Sequence, residues 1–121
     1  MSAEERLREH PRDRLAPPVQ HIAIREAVAQ LRAEPHPPVS GHRQVTLVKR
    51  GPFTLMLFLF EPGGSLKEHS AEGEVSIQVL SGRLEVTVDD QAYRMGAGEL
   101  IPLAPGQPHA VRGLEASEML L

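Results

Sequence analysis

Cysteine is absent from all 121 residues, which excludes disulfides, thiolate nucleophiles and zinc–thiolate sites. Any metal must then be held by His, Asp, Glu, amide oxygens or water. Tryptophan is absent too, and one tyrosine with three phenylalanines makes up the whole aromatic complement. With so few stacking platforms and with basic residues scattered rather than clustered, single-stranded nucleic acid has no surface to bind. A net charge of -3 removes the electrostatic attraction that a duplex would need. Long apolar runs are missing as well: the longest, LMLFLF at 55–60, is far short of the roughly 20 residues that cross a bilayer as a helix. The first residues, MSAEERLREHPRDRLAPP, are mixed in charge and lack the apolar stretch of an export signal. The expectation is a soluble, cytoplasmic protein with no nucleic-acid and no membrane partner.

What is present fits one small domain, since a chain of this length builds a single core. Residues 1–18 are charged and end in Pro17-Pro18; Ser2 and Glu5 have capping-box spacing but only Leu7 offers an apolar contact, so a mobile arm is expected there, with the domain spanning 19–121. In HIAIREAVAQLRAE, Ile24, Ala27, Val28 and Leu31 fall at i, i+3, i+4 and i+7, one face of an amphipathic helix. Pro35, Pro37 and Pro38 end it.

Beyond Gly41 the helical period gives way to short β-type segments separated by Gly and Pro: QVTLVKR, FTLMLFLF, SLKEH, EVSIQVL, RLEVTV, AYRM, ELIPL, HAVR and SEMLL. Many short strands at close spacing predict a sandwich or barrel rather than a parallel α/β sheet. In RLEVTV, Leu84, Val86 and Val88 alternate with Arg83, Glu85 and Thr87, which predicts a hairpin turning at Asp89-Asp90 with one solvated face. FTLMLFLF is apolar on both faces, so one face fills the barrel and the other needs a cover, either the helix or a second subunit. A homodimer is expected on that ground. Gly63-Gly64 has no helix or Lys-Ser/Thr behind it and there is no serine elbow, so phosphate-loop and nucleophilic-hydrolase chemistry have no machinery.

Residues 63–121 resemble the cupin family. The first motif of that family, Gly-x5-His-x-His-x3–4-Glu-x6-Gly, is matched by Gly63, His69 and Gly82, with Ala71 at the second His position and Val75 at the Glu position. The second motif, Gly, a Pro-Gly turn and a His, is matched by Gly98, Pro105, Gly106 and His109 in GELIPLAPGQPHAV. The resemblance implies an all-β fold, a double-stranded β-helix or jelly-roll barrel, carrying one short N-terminal amphipathic helix.

It also implies a site in the barrel around His69 and His109, and two readings of that site stand side by side. In the first the barrel interior binds a small molecule against Val75, Ile77 and Gln78, with the imidazoles as polar anchors. In the second a divalent transition metal (iron, manganese, nickel, copper or zinc) is held by His69, His109 and a displaced carboxylate, Glu72 or Glu74, in an oxygenase or isomerase. Glu74 stands one residue before the Glu position, so it points to the opposite face unless a β-bulge at Gly73 shifts it. By the same parity Gln78 faces away from the ligand side unless the register shifts. No catalytic residue is assigned.

Overall fold

The computed structural model describes residues 17–121; of the expected arm only Pro17 and Pro18 fall within that range, and Ser2, Glu5 and Leu7 lie outside the described residues. Helix α1 (Ile24–Arg32) buries Val28 and Leu31, the inner pair of the expected stripe. It stops where the proline cluster begins, with the Ala33 N–H donating to the Ala29 carbonyl at 3.1 Å.

Nine strands follow: β1 (His42–Arg50), β2 (Phe53–Phe60), β3 (Ser65–His69), β4 (Val75–Ser81), β5 (Arg83–Val88), β6 (Gln91–Gly96), β7 (Leu100–Leu103), β8 (His109–Gly113) and β9 (Ser117–Leu120). They pair antiparallel into a five-stranded sheet, β1-β2-β9-β4-β7, and a four-stranded sheet, β3-β8-β5-β6. The hairpin is as patterned: Val88 pairs with Gln91 across Asp89-Asp90, Leu84 and Val86 are fully buried, and Asp89 takes a left-handed φ of 44°, which Asp tolerates better than most residues.

Between the sheets lies a core of Phe58, Phe60, Ile77, Val79, Leu84, Val86, Met95, Leu103, Val111 and Met119. A second core lies outside the five-stranded sheet, where Leu57 and Leu59 meet Val28 and Leu31 of α1. Strand β2 thus sends alternate residues to two cores, and the helix is the cover its outer face required. Each of those four side chains contributes about 1.5–3 kcal/mol by leaving water.

One charged group is buried in this helix–sheet seam. Glu118 on β9 is 6% exposed and is gripped by Arg25 of α1, with Arg32 3.6 Å away. Burial works to raise its pKa, but hydrogen bonds from Arg25 and Ser81 and the charges of Arg25 and Arg32 outweigh it, so the carboxyl titrates below its usual range. A folded-state pKa below the unfolded one makes a contribution present above the unfolded value, near ~4.3, and lost as pH falls through the folded one. Urea unfolding between neutral and strongly acidic pH is expected to show wild type more stable than Glu118→Gln near neutrality, with the gap closing only on the acid side of the ordinary carboxylate range. A gap that does not change with pH would contradict this.

Candidate functional site

Strands β3 and β8 are neighbours in the four-stranded sheet, and their register places His69 directly opposite His109. The two rings lie 4.3 Å apart between centroids and are tilted by 60°. Residues forty positions apart in the chain are therefore in contact, at the end of the barrel where β3 finishes and β8 begins.

Each ring is set by its own strand entrance. His69 Nδ1 donates to the Lys67 carbonyl at 2.9 Å, and His109 Nδ1 donates to the Gln107 carbonyl at 2.9 Å. A carbonyl only accepts, so Nδ1 carries the hydrogen, and in the neutral form of the ring Nε2 keeps its lone pair. His109 is 1% exposed, and its Nε2 is buried with no hydrogen-bond partner among the described residues. An unsatisfied buried acceptor costs about 1–3 kcal/mol, and native structures keep few of them without a use. His69, by contrast, is exposed.

At the same end of the barrel, β9 finishes before its neighbours do, and a cavity of about 500 Å³ opens between the first residues of β2 and of β4. Ala71 and Val75, the two positions where the family pattern carries His and Glu, both line it, along with Met56 and Leu121. Val75 also packs against the barrel core. At these two positions, where a metal would require ligands, the wall is aliphatic, while Thr54, Glu74, Ser76 and Gln78 line the cavity elsewhere.

The remaining expected residues scatter. Ile77, expected on the pocket wall, is fully buried within the core and does not line the cavity. Gln78 pairs with Leu120 on one side and Leu100 on the other and reaches the cavity from the strand parity opposite to Val75, as its position predicts. Glu72 and Glu74 are exposed in the connection between β3 and β4. Pairing of β4 with β7 is regular from Val75 to Gln78, so no bulge at Gly73 turns Glu74 into the register of Val75. Among the described residues no group of three His, Asp or Glu side chains is placed to hold a metal. Two imidazole nitrogens fit as donors to such an ion, but among the described residues the set stops at two.

His42, on β1, has Nε2 3.1 Å from Gln44 Oε1 and Nδ1 2.9 Å from the Ser65 carbonyl oxygen while its ring lies 5.9 Å from both Phe58 and Phe60; it is a packing residue of the β1 side. A larger cavity, about 710 Å³, lies between α1 and β1, away from the histidine pair. Sequence reasoning missed Glu118; a lone carboxylate in the apolar run SEMLL, with arginines on an amphipathic helix, is the signal that marks it.

Comparison with known proteins gives a consistent result. A family model described as a cupin domain matches residues 56–121. A solved structure of a conserved protein of unknown function from Streptococcus pyogenes is similar at 33% identity, covering 67% of this chain and 71% of that one, with a TM-score of 0.63. An RmlC-like cupin protein from Desulfovibrio desulfuricans is similar at 29% identity over 64% of this chain and 76% of that one, TM-score 0.60. A structural-genomics protein of unknown function from Rhizobium leguminosarum shares the fold at 22% identity, 84% and 92% coverage and a TM-score of 0.65. No curated protein matches.

Proposed function

The chain belongs to the cupin family, and from that premise we propose that it binds a small molecule at the mouth of its barrel, with His69 and His109 as polar anchors. The single observation that carries this reading is the buried Nε2 of His109, without a partner among the described residues, at the same barrel end as a cavity lined by Ala71 and Val75 though not by the histidines themselves. The interior beneath is occupied by Ile77, Val79, Leu103 and Met119, so the ligand sits at the mouth rather than deep in the barrel. Small cavities with apolar walls and few convergent polar groups are the usual form of such sites.

A thermal-shift screen of small molecules tests it. A ligand present at about 100 times its dissociation constant stabilises by about 2.7 kcal/mol, which is several degrees for a domain of this size. That shift is expected to shrink in Val75→Phe, which puts a bulkier side chain into the cavity wall. A screen without a stabilising compound, or an unchanged shift in this variant, would overturn the reading.

The same orphaned nitrogen favours a second reading, in which His69 and His109 would hold a divalent metal through their Nε2 atoms. Such an ion would supply Lewis acidity. Plasma mass spectrometry of untagged protein from metal-supplemented growth decides: near-stoichiometric metal that disappears in His69→Ala and His109→Ala supports it. Metal-free protein under those conditions ends it.

A further inference from the structure

We infer that the ligand of this site is a non-anionic hydrogen-bond donor, an alcohol on an apolar body rather than a carboxylate or phosphate. This rests on the binding-site reading above and adds the chemical class. Two independent features lead to it. The first is the tautomer of the imidazoles: the Lys67 and Gln107 carbonyls each take an Nδ1 hydrogen at 2.9 Å, which makes both Nε2 atoms acceptors whenever the rings are neutral. An anion would present a second acceptor to each lone pair, with no proton between them. A hydroxyl presents the hydrogen that the buried Nε2 of His109 lacks.

The second feature is the charge of the cavity at the same barrel end, which Ala71, two residues beyond His69, lines although neither histidine does. Among the described residues its wall includes neither lysine nor arginine, and the one ionisable side chain on it is the carboxylate of Glu74. Anion sites are ordinarily built from arginine, lysine or clustered backbone N–H groups. Here the fixed charge has the sign that repels an anion, while Met56, Val75 and Leu121 offer contact to a hydrocarbon body. With two rings 4.3 Å apart, adjacent hydroxyls on one ring are the arrangement that serves both.

The probe pair is cis-1,2-cyclohexanediol and cyclohexanecarboxylate, titrated in chelator-treated buffer at mildly alkaline pH and followed by long-range proton–nitrogen spectra of the histidines. Before any ligand is added, both Nε2 resonances are expected at the position of an unprotonated ring nitrogen and both Nδ1 resonances at that of a protonated one. The diol is expected to shift both Nε2 signals and to bind at least about tenfold more tightly than the carboxylate. His69→Phe, at an exposed position that tolerates the change, is expected to weaken the diol about tenfold. Protonated Nε2 in the free protein, or tighter binding of the carboxylate, overturns the inference while leaving the binding site standing. Binding of neither probe, together with a screen that yields no ligand of any class, overturns both.

Discussion

Gly64→Ala is expected to destabilise the barrel by at least about 3 kcal/mol, whereas Gly63→Ala costs about 1–2 kcal/mol. The glycines are neighbours, but they are required for different reasons. Gly63 has a φ of +80° with open space where a Cβ would stand, so alanine there pays only for the left-handed backbone. Gly64 has no such φ; a Cβ on it would lie 2.1 Å from the Gly41 carbonyl oxygen, and neither partner is a flexible side chain that can swing aside. Gly41 is itself locked in place, since its carbonyl accepts the Glu61 N–H at 2.9 Å and a Cβ on it would meet the Gly64 Cα at 2.7 Å. The crossing brings the entrance of β1 against the entrance of β3, the strand that ends in His69. Equilibrium urea unfolding of the two variants checks this, and equal losses would show that the close approach is not what matters at Gly64. The family motif begins at Gly63, so sequence pattern ranks the pair in the reverse of their expected energetic order.

The second large effect is a gain. Ala71→His combined with Val75→Glu is expected to turn a chain with two metal-ligand positions into one with four, and to give protein that retains close to one equivalent of divalent metal through purification. Both positions line the cavity at the histidine end, and Val75 starts the regular stretch of β4 pairing, so a side chain there points to the same face as Ile77 and Val79. Val75→Glu alone is expected to be less stable than wild type, because it puts a carboxylate into a half-buried aliphatic wall with no cation beside it. Adding metal to the double variant should restore stability by about 2.7 kcal/mol at 100 times the dissociation constant. The first readout is metal content by mass spectrometry, and the second is thermal unfolding with and without chelator. A double variant that folds yet holds no more metal than wild type would mean that Ala71 and Val75 do not face the imidazoles, and the correspondence with the family motif would fail at those residues.

Much of the fold was legible because strand signals are local. Alternation in RLEVTV placed Leu84 and Val86 inside, and all nine expected β segments form strands. The two apolar faces of FTLMLFLF demanded two partners, and periodicity in the preceding segment supplied a helix with a matching stripe. Which cover would be used, helix or second subunit, was not legible, since both satisfy the same need for apolar contact; the packing of Leu57 and Leu59 on Val28 and Leu31 shows the helix taking that face.

The site divides along the same line. The resemblance to the family motif put His69 and His109 together and marked Ala71 and Val75 as the positions where that family carries ligands, and parity put Gln78 and Glu74 out of register with Val75. Three things were left to the tertiary structure: the carbonyl that holds each Nδ1, the burial of one Nε2, and the cavity at the same barrel end. The Arg25–Glu118 pair, 93 positions apart, belongs with them. Periodicity records which face a residue takes relative to its neighbours in the chain, and that is enough for strands and for membership of a motif. A ring's tautomer, a carboxylate's partner and the shape of a cavity depend on atoms brought together from distant segments, and only the folded chain sets those distances.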